Sequence, residues 1–208
     1  LVQRQMNGTN AAQSFAHELS GAPTGVLFFS ALINPVPPST GGQANISIGA
    51  WAGGSQFGTG VESANGFTTT STNRTLRLDA VCVRPSFRSM GVSSVDATNV
   101  NVTYPVSLIP TQYYFWMLAI RGAKCQVGTF NTASSNTITT TGITPKLFLP
   151  VFVPTGVGSV GTVLNDLMLT IGASDGTNNV SCGISDANGV TTTNARRFQS
   201  STTLCEYN

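Results

Sequence analysis

Short apolar or alternating runs, separated by Gly, Pro, Asn and Asp, recur along the whole chain, and that spacing predicts many short strands. Gly25 to Ile33 is almost wholly apolar and is closed by Pro35, Pro37 and Pro38, so it reads as a buried strand with a sharp end. Asn45 to Trp51 alternates and places Ile46, Ile48 and Ala50 on one face. Arg74 to Arg84 alternates too, with Leu76, Leu78, Ala80 and Cys82 pointing one way. Val100, Val102 and Tyr104 begin another strand, and Gln112 to Arg121 is a long aromatic one. Between these runs, Asn65-Gly66 suits the positive φ values of a tight hairpin turn. Further strands are predicted over Pro145 to Val153, Leu167 to Ala173, Val180 to Ile184, Gly189 to Thr193 and Phe198 to Glu206. Ala11 to Leu19 alone has the pattern of a short helix.

The pattern is written twice. Ile48 to Cys82 recurs as Ile171 to Cys205 at a constant offset, with Ile48-Gly49-Ala50 matching Ile171-Gly172-Ala173 and Ala64-Asn65-Gly66 matching Ala187-Asn188-Gly189. Thr68, Thr69, Thr70, Arg74 and Cys82 likewise match Thr191, Thr192, Thr193, Arg197 and Cys205. Upstream, Pro23 to Phe29 faces Pro145 to Phe152 after a small change of register. The period is too long for a solenoid, whose units run to roughly 20 to 50 residues. The expected fold is therefore all-β: two related antiparallel β-sandwich modules with jelly-roll-like connections, over residues 1–123 with an N-terminal arm and over 124–208. The second copy is the shorter, because residues 83–121 of the first have no counterpart in it. A sandwich lacking those strands needs another surface over its open side, and a neighbouring subunit is the favoured source.

Composition narrows the function classes. In 208 residues there are 10 Lys plus Arg against 8 Asp plus Glu, a net charge of +2 without a basic run, so phosphate neutralisation and nucleic-acid binding are not expected. No apolar run reaches the ~18 to 20 residues that cross a bilayer, and no membrane partner is expected. The low charge and the Thr, Ser and Asn tracts suggest a surface solvated by hydroxyls and amides, as in extracellular or assembled proteins. Five Asn-X-Ser/Thr sequons, at Asn7, Asn45, Asn73, Asn101 and Asn179, are about what such a composition yields by chance.

Candidate chemistry is thin. The one histidine, His17, sits in a polar segment without a nucleophile motif, and the eight carboxylates form no recognisable acid-base pair. Asp175 with Asn178 and Asn179, or Asp186 with Asn188, offer calcium-type oxygens, but Asx turns account for them better. Neither a cofactor, a metal nor catalysis is expected. Tyr113, Tyr114, Phe115 and Trp116 form the densest aromatic cluster, and with Trp51 they are the candidate contacts for a subunit interface or a glycan. In a strand, two of the four clustered rings must face outward. Cys125 and Cys182 are additions specific to the second copy and are the candidate disulfide, whereas Cys82 and Cys205 occupy equivalent strands and read as buried thiols.

The order of these parts, PTGVLFF, SIGAWAGG, VESANGFTTTSTNR and YYFWMLAIRGAKCQVGTF, resembles a tandem β-sandwich repeat of phage virion proteins of the tail, fibre or capsid-decoration type. The resemblance implies a non-enzymatic structural subunit of a virus particle whose partners are copies of itself and other virion proteins. The alternatives are a carbohydrate-binding module or adhesin that contacts host glycan, and a subunit of a cell-surface filament.

Overall fold

A computed structural model describes residues 1–6, 11–31, 43–64, 67–85, 88–106, 113–129, 143–154 and 162–204. The described residues hold fifteen strands and no helix. Along the first part run β1 (Val2–Gln5), β2 (Gln13–Ala16), β3 (Gly25–Ser30), β4 (Gln43–Ala52), β5 (Ser55–Ala64), β6 (Ser71–Arg77), β7 (Cys82–Arg84), β8 (Arg88–Val95), β9 (Asn99–Val106) and β10 (Tyr114–Ile120). The rest carries β11 (Val151–Phe152), β12 (Leu164–Asn165), β13 (Leu167–Ser174), β14 (Asn179–Asp186) and β15 (Arg196–Ser200). The helix expected over Ala11 to Leu19 is instead strand β2, whose backbone pairs with β9 and whose Phe15 enters the core; tertiary pairing overrides the weak local pattern.

All pairings are antiparallel. A seven-stranded sheet, in the order β1-β10-β3-β4-β5-β6-β12, faces a four-stranded sheet in the order β2-β9-β8-β7. Alternation decides what lies between them. Val26 and Phe28 of β3 and Phe115 and Met117 of β10 point to one side and are buried against Phe15, Met90, Val92, Val100 and Val102. The Phe115 ring meets Phe15 edge-on, centroid to centroid at 5.0 Å, the arrangement that the ring quadrupoles favour.

The chain passes between the sheets over a lane of glycines. Leaving β6, it gives up the single alternating strand expected from Arg74 to Arg84 and buries Ala80, Val81, Cys82 and Val83 consecutively. This segment lies so close to the large sheet that a Cβ on Gly49 would stand 2.0 Å from the Val81 carbonyl oxygen, and one on Gly60 would stand 2.1 Å from that of Val83. Ser47 fastens the crossing: its Oγ accepts the Val83 N–H at 2.7 Å and donates to the Thr59 carbonyl at 3.1 Å. Gln56 makes a second tie by pairing both amide ends with the Val92 backbone, where β8 is irregular.

A third sheet, β11-β13-β14-β15, follows the same order of hairpins as β3-β4-β5-β6. At the repeat offset Gly53 and Gly176 both take positive φ in the first hairpin turn, and a Cβ on Gly172 would stand 2.0 Å from the Leu204 carbonyl oxygen, as Gly49 does to Val81. The third sheet is not free of the first two. Strand β12 pairs with β6 and so completes the edge of the seven-stranded sheet. Arg74 braces that junction by donating to the carbonyls of Pro154, Asn165 and Asp166, and burial lowers its pKa more than Asp166 raises it. Asn188 accepts the Thr72 N–H at 2.9 Å and Gly189 donates to the Thr70 carbonyl at 2.8 Å, so this Asn-Gly pair ties the copies together in addition to turning the chain. Val61 of β5 packs with Val153, Leu167 and Leu169 in a shared apolar seam. Part of the cover that the shorter copy needs is therefore supplied within the chain.

Candidate functional site

Among the described residues, His17 and the carboxylates Glu18, Glu62, Asp79, Asp96 and Asp175 each have a structural occupation. His17 is buried, with its Nδ1 accepting the Leu19 N–H at 3.1 Å and its Nε2 at 3.2 Å from the Asp96 carbonyl. A carbonyl only accepts, so the ring is held as the Nε2–H tautomer with both nitrogens engaged. Glu18 pairs with Arg4, Asp79 with Arg77 and Glu62 with Arg84. The last pair is buried, and Arg84 reaches the Tyr113 hydroxyl as well. Nothing in the spacing of Glu62 and Arg84 along the chain signals this pair, because it depends on the crossing that brings β7 over β5.

Asp175 behaves as an Asx turn, its Oδ1 accepting the N–H groups of Thr177 and Asn178. Bonding to Asn178 is the chief reason its carboxyl is held down to about 2. Asp96 does the same in the β8–β9 hairpin, with the Thr98 N–H as the largest cause of its depressed pKa. Among the described residues no cluster of His, Cys, Asp and Glu could hold a metal ion.

The aromatic cluster divides as alternation requires. Tyr113 and Phe115 are buried in the sandwich core and offer no outward ring, which removes them as glycan or interface contacts. Tyr114 and Trp116 are half-buried and turn to the opposite side of the seven-stranded sheet. Trp51 packs against the core from its margin.

The cysteines stay apart. Cys125 lies against the start of β3, where a Cβ on Gly25 would meet it at 2.7 Å, and Cys182 stands exposed in the middle of the third sheet, opposite Ile171. Both are free thiols, so the expected bond between them is not formed. Cys82 is also a free thiol and burial pushes its pKa up, while Cys205 lies outside the described residues. In dilute protein, maleimide labelling is expected to reach Cys182 first, Cys125 more slowly and Cys82 only on unfolding, because the thiolate is the reactive form and burial disfavours it. Peptide mapping that finds Cys82 labelled in the folded protein would contradict this packing.

What the structure adds is a surface. Residues opposite one another in an antiparallel pair share a face, so Val151, Ile171 and Cys182 stand together in one row, and Ala173 with Val180 in the next. The same register carries Leu149 to this face. One end of the face, at Leu167 and Leu169, is buried against Val61. The other end is open, with Leu149 45%, Ile171 38% and Val180 51% exposed. In the first copy Ile48 and Thr59, the equivalents of Ile171 and Cys182, are closed at 8% and 4% exposed, while Phe57, the equivalent of Val180, is half-buried. Contiguous exposed apolar residues, rather than scattered ones, are what mark interaction sites. The repeat held the signal for it, since Ile-Gly-Ala is retained in both copies, but only three-dimensional packing tells which copy leaves it open. Comparison with protein-family models, with curated proteins and with solved structures gives no match.

Proposed function

We propose that this chain is a structural subunit of a virus particle, in the phage setting that its tandem repeat resembles, and that it works by packing against other subunits. The observation that carries the reading is the open half of the β11–β13–β14 face, where Leu149, Ile171, Ala173, Val180 and Cys182 bring no charge to a surface continuous with the interior. Assembled proteins bury such faces permanently, and a depletion of charge at the centre of the patch is the compositional trait of an interface core. The ionisable groups on the rest of the chain support it: His17, Glu18, Glu62, Asp79 and Asp96 are all engaged in holding turns and strands together.

The test is the content of particles. Quantitative mass spectrometry of purified virions from the source is expected to find this chain in many copies per particle, and antibody against it to label intact or partly disassembled particles. Its absence from particles overturns the reading. Saturable binding on a glycan array that Trp116→Ala abolishes would favour the adhesin instead.

A further inference from the structure

The contacts that join the two copies inside the chain are made by residues that the duplication retains. On one side of this junction is the outer edge of β6. The Thr70 N–H donates to the Val190 carbonyl and the Thr70 carbonyl accepts the Gly189 N–H, both at 2.8 Å, while the Thr72 N–H donates to the Asn188 side chain at 2.9 Å. Arg74 donates to the carbonyls of Pro154, Asn165 and Asp166 around the added strand β12. On the other side is the turn Ala187-Asn188-Gly189, whose Ala187 carbonyl accepts the Thr70 hydroxyl at 2.5 Å. Most of these partners are main-chain atoms, so what the β6 edge requires is an extended segment and a turn of this shape.

Each half of the junction is present twice. Thr70 and Arg74 recur as Thr193 and Arg197, and Ala187-Asn188-Gly189 repeats Ala64-Asn65-Gly66. The register agrees as well: Arg74 stands opposite Val61, and Arg197 stands opposite Ile184, the residue equivalent to Val61. Within the chain, the turn of the second copy is spent on the edge of the first. The edge of the second copy is left over. Strand β15 ends its sheet, and among the described residues the Thr193 N–H and carbonyl have no partner and the exposed Arg197 guanidinium makes no hydrogen bond or ion pair. Pairing also begins later on β15, at Arg196, the equivalent of Asn73, whereas β6 is paired from Ser71. A bare edge is a template for another strand, and a charged side chain often blunts it. On β6, however, the same arginine clamps the strand laid beside it. Three positions differ at the second edge. Ala195 in place of Thr72 keeps the N–H, Phe198 in place of Thr75 loses one hydroxyl bond, and Gln43 in place of Asp166 removes the 3.9 Å ion pair while the contacts to main-chain carbonyls carry over.

We infer that a second copy of this chain docks head to tail on the free edge of β15: its first module lies against Thr193 to Arg197 as the second module lies against Thr70 to Arg74, and Arg197 donates to its main-chain carbonyls. The second copy is the occupant because its first module carries the turn sequence that the equivalent edge already accepts within the chain. Phe67, which follows that turn and is 66% exposed, takes the place of Val190. Charge does not oppose the approach, since Ala64 to Phe67 carries none and Arg196 points to the opposite face of β15 from Arg197. The contact joins two different patches, so it propagates into a ring or a filament. This deepens the structural-subunit reading, on which it rests, by giving the subunit a direction of assembly.

The experiment joins sedimentation velocity on the full chain, from about 1 to 100 μM, to cross-linking between two variants. Wild type is expected to grow past a dimer as concentration rises. Arg197→Ala is expected to weaken association at least ~10-fold, because it removes charge-assisted hydrogen bonds to the partner's carbonyls, whereas Arg196→Ala leaves it unchanged. Since Arg197 is exposed and unbonded in the single chain, Arg197→Ala should keep the wild-type urea midpoint; if that midpoint falls, Arg197→Lys, which keeps the charge and loses the fork, takes its place. For cross-linking, Cys125, Cys182 and Cys205 are replaced by Ser, and Phe67→Cys and Thr193→Cys are placed on separate chains. Oxidation of the mixture is expected to give the mixed disulfide at least ~10-fold faster than either variant links to itself, as the two sites meet only across a head-to-tail contact. A wild-type monomer at 100 μM, association that Arg197→Ala leaves unchanged, or each cysteine variant linking to itself as readily as to the other overturns the inference. None of these outcomes touches the subunit reading, which stands or falls on the particle content alone.

Discussion

Gly49→Ala is expected to destabilise the sandwich by about 3 kcal/mol, at the upper end of what overpacking usually costs. The added methyl would stand 2.0 Å from the Val81 carbonyl oxygen, 2.6 Å from its carbonyl carbon and 2.6 Å from its Cα. These are backbone atoms of the crossing segment, so no rotamer change relieves them. The segment must lift, and it carries the N–H of Val83 that bonds to Ser47 and the buried side chains of Val81 and Cys82. Gly172→Ala should do comparable damage to the third sheet, where the obstructing atom is the Leu204 carbonyl oxygen, also at 2.0 Å. Hydrogen exchange in β13 and β14 should report that loss first, since it is local to one sheet. Gly54→Ala is the contrast: nothing lies within 4 Å of its Cβ, and its positive φ of 85° alone should cost about 1 kcal/mol. Urea midpoints measure all three. A Gly49→Ala midpoint indistinguishable from that of Gly54→Ala would mean that the crossing segment does not lie on the glycine lane.

The two glycines also show how far the sequence can be read. Ile-Gly-Ala written twice, with turn residues at a constant offset, is enough to predict two equivalent hairpin series, and β3-β4-β5-β6 and β11-β13-β14-β15 share that order. Alternation is enough to place Ile46, Ile48 and Ala50 on one face and to divide the aromatic run into inward and outward rings, with Phe115 and Met117 inside. Long-range placement is where local pattern fails. Leu76 to Cys82 alternates as a continuing strand would, yet the chain leaves the sheet after Arg77, since Gly49, Gly58 and Gly60 open a lane that only a crossing backbone can fill. Residues 164–165 carry no strand signal of their own, and they become β12 because β6 offers an unpaired edge and Arg74 offers three donor contacts around it. That Cys125 and Cys182 are both additions of the second copy is a statement about sequence and not about distance; the fold puts one beside β3 and the other in the third sheet. The open face was legible only in part: its apolar residues are in the sequence, but only the packing of Leu167 and Leu169 on Val61 tells which end is covered.

Glu62→Ala is the second substitution with a large expected effect, about 3 kcal/mol or more. Glu62 and Arg84 are held 2.9 Å apart with side chains only 7% and 14% exposed, and Arg84 also donates toward the Tyr113 hydroxyl at 3.4 Å. Bringing two charges out of water costs several kcal/mol each, which their mutual attraction and their hydrogen bonds offset only while both are present. Deleting the carboxylate therefore removes a 2.9 Å ion pair from a guanidinium that stays largely desolvated, at the place where β7 crosses β5. The double substitution Glu62→Leu with Arg84→Met removes both charges and keeps much of the volume, and it is expected to recover most of the lost stability. Asn45, directly across the ladder from Glu62, sets the opposite case: it is buried, and neither its amide nitrogen nor its oxygen has a hydrogen-bond partner. An unsatisfied buried amide destabilises by roughly 1 to 3 kcal/mol, so Asn45→Leu should raise the urea midpoint where Glu62→Ala lowers it. Equilibrium denaturation of the two single variants, Glu62→Leu and Arg84→Met, with the double variant gives the coupling energy of the pair. A coupling near zero, or an Asn45→Leu variant less stable than wild type, would show that this end of the sandwich is wet and that the pair is a surface contact rather than part of the interior.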